Sequence, residues 1–319
     1  MMKNYHELVK FSLAVMVIVT ISGCGSTLSR TDSLEPFTII ALPDTQVYSQ
    51  SYPDIFLCQT QWIHEQKEEL NILCAVHEGD ITNRNTEKEW LAADAAMSVL
   101  DGSVPYCMVP GNHDMVNTKN RDLTWFNKFF GPQRFANQSW YGGHYDDGNE
   151  NAYYLFNAGS MKLLVLCLEF GPRDEVLAWA GRVIDGYKKY KVIVVTHNYM
   201  YFDDTRVGEG DSSNPHQYKW QVNDGEEMWD KLVSKHENIL MVLSGHILGD
   251  GQGRQTSIGE KGNRVHEVLV NYQMRAQGGT GWLRIMTFVP AERKIYFKSY
   301  SPWLKEYKTD DESQFILDY

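Results

Sequence analysis

The chain has 319 residues, 43% of them hydrophobic, enough to bury one large core or two modest ones. Its formal net charge of −11 argues against nucleic acid as the main partner, because binding a phosphate backbone usually needs a basic face. No segment is low in complexity, and no repeat recurs at solenoid periods.

From the beginning of the chain, Lys3 and Lys10 give a basic start, and Phe11 to Ile21 is an apolar core too short to span a bilayer comfortably. The following Ile21-Ser22-Gly23-Cys24 resembles a bacterial lipobox. That resemblance implies a signal peptide over residues 1–23, cleavage before Cys24 and acylation of the new terminus. The product is expected to be an exported bacterial lipoprotein, held to a membrane by its acyl chains. Cys24 and the Ser- and Thr-rich stretch after it, residues 24–36, read as a tether. Nothing beyond residue 36 resembles an interdomain linker, so residues 37–319 read as one catalytic domain.

Within that domain strands and helices alternate. Thr38 to Leu42 is an apolar run that predicts a buried strand, and Ile55, Cys58 and Trp62 share one face of a following helix. After the strand Ile72 to Val76, Thr86 and Glu89 form a capping box that opens a helix running to about Leu100. Tyr106 to Val109 is the third strand, stopped by Pro110. Leu123 to Phe130 predicts a short helix, and Gly131 to Asn151 a long polar and aromatic loop. Met161 to Leu168 reads as a strand; Val176, Leu177, Ala180, Val183, Ile184 and Tyr187 then mark an amphipathic helix leading into the strand Val192 to Val195. A helix from about Asp224 to His236 precedes the strand Ile239 to Leu243. Val265 to Tyr272, Trp282 to Val289 and Lys294 to Tyr300 read as consecutive strands of an antiparallel second half. Cys74, Cys107 and Cys167 sit inside apolar runs and are expected to be reduced, buried hydrophobes.

Five of the apolar runs end in a metal-binding residue type: Asp44, Asp80, Asn112, His197 and His246. Each offers an oxygen or imidazole donor suited to Zn, Mn or Fe. Open α/β sheets bind ligands beyond the C-terminal ends of their strands, so the pattern predicts that the five edges converge on one metal site.

The blocks Asp44-Thr45-Gln46, Gly79-Asp80, Gly111-Asn112-His113-Asp114, His197 and Gly245-His246 stand in the order found in the calcineurin-like metallophosphoesterases, which the chain resembles over about two hundred residues. The resemblance implies an α/β fold with two mixed β-sheets in a sandwich flanked by helices, a four-layer α/β/β/α arrangement. It also implies two divalent metal ions, Mn, Fe or Zn, bridged by Asp80. Asn112, His197 and His246 would complete the shell of one metal, and Asp44 and Gln46 would bind the other. His113 would donate a proton or hydrogen bond to a phosphoester substrate attacked by metal-activated water, and Asp114 would orient its imidazole.

Two departures fall on the Asp44 metal. Gln46 stands where the family commonly has His, and Leu248 where its Gly-His-x-His block ends in His. That metal is therefore expected to be the weaker one, with Asp250 as a candidate replacement oxygen set against its plain reading as a turn residue. The alternative to a phosphoesterase is a non-catalytic, lipid-anchored protein whose degenerate metal site recognises a phosphorylated ligand. The His113-Asp114 pair favours the enzyme, and Leu248 favours the binding protein.

Overall fold

The computed structural model describes residues 35–115 and 120–319; the expected signal peptide, Cys24 and nearly all of the tether lie outside the described residues. β1 (Phe37–Leu42) is buried along its whole length, with Ile39 and Ala41 in one core and Ile40 and Leu42 in another. This two-sided burial explains its unbroken apolar run. After α1 (Gln46–Ser51) and α2 (Pro53–Glu65), β2 (Ile72–His77) pairs with β1 in parallel. α3 (Glu87–Met97) opens on the expected Thr86–Glu89 capping box and leads to β3 (Tyr106–Met108), parallel to β2. α4 (Thr124–Phe130) and α5 (Pro132–Phe135) follow.

The next strands build a second sheet. They are β4 (Tyr141–His144), β5 (Ala152–Ala158), β6 (Met161–Leu168), β7 (Lys191–Thr196), β8 (Ile239–Ser244), β9 (Gln252–Ile258) and β10 (Arg264–Val270), in the spatial order β4-β5-β6-β7-β8-β10-β9. β6, β7, β8 and β10 run parallel, joined in part through α6 (Asp174–Gly186) and α7 (Gly225–Lys231). The chain then returns to the first sheet. β11 (Leu283–Val289) lies antiparallel to β1, and β12 (Lys294–Ser301) pairs with β11, β13 (Glu306–Lys308) and β14 (Gln314–Asp318).

Three apolar layers hold this together. Ile39, Val76 and Cys107 of the first sheet meet Val165, Cys167, Val195 and Leu243 of the second. Ile40 and Met108 pack with Ile63, Ala93 and Phe126 on the outer face of one sheet, while Leu166, Val194 and Val242 pack with Ala180 and Met228 on the outer face of the other. The result is the expected four-layer α/β/β/α sandwich. Cys74, Cys107 and Cys167 are buried free thiols, as their setting predicted.

Several local expectations are corrected. Gly131 to Asn151 is not a continuous loop, because α5 and β4 form within it. β9 does not stand out in the sequence because it is polar and half solvent-facing, and β5 because its aromatic run Tyr153 to Phe156 is apolar on both faces and shows no alternation. The second half is not simply antiparallel: β10 pairs in parallel with β8, and β11 lies in the other sheet. Strand periodicity reports burial on each face but not which sheet a strand joins, which is why these strands read as neighbours. The helix expected from Asp224 to His236 ends at Lys231 and gives way to a 3-10 turn over Val233–Lys235.

Candidate metal centre

The donor residues follow the C-terminal ends of five parallel strands, β1, β2, β3, β7 and β8. His197 is the hub. Its Nδ1–H donates to the Glu78 carbonyl at 2.8 Å, which leaves Nε2 facing Asp80 Oδ1 and Asn112 Oδ1, each at 3.2 Å. The His246 Nδ1 lies 3.1 Å from the same nitrogen, and its Nε2–H donates to the Ser213 carbonyl at 3.0 Å. Both imidazoles thus turn their second nitrogen inward while a backbone carbonyl fixes the outer one, the support that metal-ligating histidines generally have. Asp80, His197 and His246 are buried, with ligand atoms within 4.8 Å of one another. Two imidazole nitrogens, a carboxylate and an amide oxygen form a donor set that fits Zn, Mn or Fe.

Close backbone approach explains the glycines of these blocks. A Cβ on Gly111 would lie 2.1 Å from Asp80 Oδ1, and one on Gly245 would lie 2.3 Å from Asp44 Oδ2. Asp80 and His246 themselves sit at φ of 49° and 68°, a left-handed conformation uncommon outside glycine and concentrated at functional sites.

The charge balance also suits a cation. Burial disfavours a charged His197, but Asp80 and Asp44 outweigh it and push its pKa up to about 9. Burial would raise the Asp80 carboxyl, yet His197 above all holds it at about 2. Asp44 moves the other way: burial, reinforced by Asp80, raises it to about 8 against the pull of His197. Its carboxylate accepts the His246 backbone N–H at 3.2 Å. Protons on His197 and Asp44 neutralise the cluster where a divalent cation would serve better.

The remaining expected residues are also near this edge. Gln46 is buried and donates its Nε2–H to Gln273 Oε1, while its own Oε1 has no partner. His113 is exposed and lines a cleft of about 320 Å³ together with Asp80, Asn112, His246, Leu248 and Gln273. Its Nδ1–H donates to the Asn83 carbonyl at 2.7 Å and its backbone N–H to Asp80 Oδ1 at 3.0 Å. The expected pairing of Asp114 with the His113 imidazole does not form. Asp114 is fully buried and accepts instead from the backbone N–H groups of Gly111, Ile81 and Thr82 and from the Thr82 hydroxyl. Adjacent residues in a 3-10 turn diverge, so the carboxylate reaches His113 only through the Ile81–Asn83 loop that it ties down. Asp250 is an exposed turn residue whose Oδ1 accepts the Gln252 N–H at 3.0 Å.

Residues absent from the sequence reading are Asn83 and Ser213, which act through carbonyls and leave no side-chain signal, and Gln273. The last follows β10 at the same sheet edge. It was hidden because β10 did not read as a parallel strand.

Residues 37–250 match the calcineurin-like phosphoesterase family. The chain belongs to that family. This metallophosphoesterase is 33% identical over 289 residues to the uncharacterized protein YvnB of Bacillus subtilis, a match covering 86% of this chain and 21% of YvnB. It is 22% identical over 177 residues to a probable glycerophosphodiester phosphodiesterase, GpdQ, of Arcobacter nitrofigilis, covering 53% of this chain and 54% of that one. The chain therefore spans about a fifth and about half of these curated relatives. Among solved structures, its fold is similar to purple acid phosphatase PPD1 from yellow lupin seeds, with a TM-score of 0.55 at 12% identity over 90% of this chain and 55% of that chain. It is also similar to GAP50, the anchor in the inner membrane complex of Plasmodium, with a TM-score of 0.50 at 12% identity over 88% of this chain and 89% of that one.

Two predictions follow from the geometry. Metal ligation needs a neutral His197 and an ionised Asp44, so Mn²⁺ binding should release protons and strengthen as pH rises through about 8 and 9, levelling above both. Calorimetry in buffers of different ionisation enthalpy measures this, and a flat affinity over that range would contradict the assignment. Asp114→Ala leaves three backbone donors and a hydroxyl unpaired in a buried loop, and should cost about 3 kcal/mol or more in urea denaturation.

Proposed function

We propose that the chain is a metal-dependent phosphoesterase that hydrolyses a phosphodiester or phosphomonoester, with His113 as the acid. One observation carries the reading: donors from five strand ends meet at a single edge, and an imidazole that belongs to none of the metal shells lines the cleft beside them. Asn112, His197 and His246 would hold one cation, Asp44 and Gln46 a second, with Asp80 shared. Bound there, the metals would supply Lewis acidity and a water acidic enough to attack at neutral pH.

The chain's own residues account for the rest. The Asn83 carbonyl occupies Nδ1 of His113, leaving Nε2 to carry the transferable proton. As the water oxygen bonds to phosphorus and the ester P–O bond breaks, the departing alkoxide takes that proton. Asp114 positions the acid at one remove by holding the loop that carries Asn83. The name of the Arcobacter relative supports a diester as the first substrate class to test.

The second reading, a lipid-anchored binder of a phosphorylated ligand, is favoured by Leu248, an apolar side chain at the cleft where the family's histidine would stand. A phosphoester panel with added Mn²⁺ separates the two. The full chain should hydrolyse nitrophenyl phosphodiesters, and Asp80→Asn should abolish turnover; undiminished activity in that variant contradicts the proposed centre. His113→Ala should lower kcat by about 10²- to 10⁴-fold on alkyl esters and less on nitrophenyl esters, whose leaving groups need little protonation. One bound metal or fewer, with no turnover across the panel, would establish the binding reading.

We propose further that the chain works as an exported lipoprotein, a reading supported by Lys3, Lys10, the Phe11 to Ile21 core and Cys24. Radiolabelled palmitate should be incorporated on bacterial expression and lost in Cys24→Ala. Equal labelling of both would count against the anchor.

A further inference from the structure

Leu248, like Gln46, removes an imidazole that the family pattern places on the Asp44 side of the centre. The loop after β10 reaches the same cleft with an amide: Gln273 lines it together with Asp80, His246 and Leu248. Its backbone is fixed, since its N–H donates to Asn271 Oδ1 at 2.9 Å and the Asn271 N–H donates to the Gly251 carbonyl at 2.7 Å. The loop carrying Gln273 is thereby tied to the loop carrying Leu248. The Gln273 side-chain oxygen accepts the Nε2–H of Gln46. Because a primary amide has one oxygen and one nitrogen, this bond decides which end of Gln46 is left over. What is left is Oε1, an acceptor that is buried and unpartnered. Burying such an atom is unfavourable unless something binds it, and a cation is the partner its chemistry suits.

We propose that Gln273 is a positioning residue for the second metal. By holding the Gln46 nitrogen it presents the Gln46 amide oxygen to the cation beside Asp44, offsetting the loss of the histidine at Leu248. The inference rests on the phosphoesterase reading for the location of that cation but not on turnover. Outer-sphere partners of metal ligands commonly contribute 10- to 100-fold to metal affinity.

The test is titration of the full, chelator-stripped chain with Mn²⁺ by calorimetry, alongside thermal melting of each metal-free variant. Wild type should bind two Mn²⁺ with unequal affinities. Gln273→Met, near in shape but without the acceptor, should weaken the lower-affinity site at least tenfold and leave the other unchanged. Gln273→Glu keeps an acceptor for Gln46 and should bind at least as well as wild type. Leu248→His in the Gln273→Met background should restore the weakened site, an exposed change that does not depend on how Met packs. Wild-type affinities at both sites in Gln273→Met, equal losses in Met and Glu, or a single Mn²⁺ in wild type would each overturn the inference. Hydrolysis of nitrophenyl diesters is scored separately. Two bound Mn²⁺ without turnover would count against the phosphoesterase reading while leaving the role of Gln273 standing.

Discussion

The His197 imidazole joins the two halves of the molecule. It leaves the end of β7 in the second sheet, and its Nδ1–H is held by the Glu78 carbonyl just beyond β2 in the first. Its other nitrogen gathers Asp80 and Asn112 from the first sheet and His246 from the second. The relative placement of the sheets is therefore read out directly at the site. A shift of an ångström between the sheets would break these contacts, all near 3 Å, and the shared apolar layer of close-packed side chains resists such a shift.

Backbone geometry then narrows what the sequence can be. Gly111 lies against Asp80, and Gly245 against Asp44, at distances that leave no room for a Cβ. Each of these glycines belongs to one loop and protects a carboxylate that belongs to another. Asp80 and His246 take up the cost as left-handed conformations, about 1–3 kcal/mol each, sustained by the strands on which they are mounted.

Much of this was legible in the chain itself. Strands buried on both faces give unbroken apolar runs, and a run that stops at Asp, Asn or His marks both a sheet edge and a ligand type. That is why Asp44, Asp80, Asn112, His197 and His246 could be singled out before any fold was known. β9 and β4 were not legible, because their half-exposed residues carry too few apolar side chains to stand out, and β5 was not because its run Tyr153 to Phe156 is apolar on both faces and shows no alternation. The work of Asp114 was misread for a different reason. Adjacency to His113 in sequence suggested contact, whereas the 3-10 turn sends the two side chains apart and turns the carboxylate to the backbone of Ile81 and Thr82. Gln273 was missed because its value depends on the Gln46 amide, 227 positions away, and no local pattern couples them.

The accumulation of acid at this edge supplies the last connection between fold and chemistry. Asp44, Glu78 and Asp80 are all buried, and both Glu78 oxygens lack partners. Burial, followed by the proximity of Asp44, raises the Glu78 carboxyl well above its ordinary range, with buried Arg284 pulling the other way. Without a cation, the fold meets this concentration of charge by keeping protons on Asp44 and Glu78, at the expense of stability near neutral pH, and by charging His197, whose raised pKa returns part of that stability below about pH 9. Residues selected for stability alone would not gather here. A divalent cation bound here would relieve the repulsion through the same donors that burial makes costly to ionise, so the destabilisation of the metal-free edge and an affinity for metal would have one physical origin.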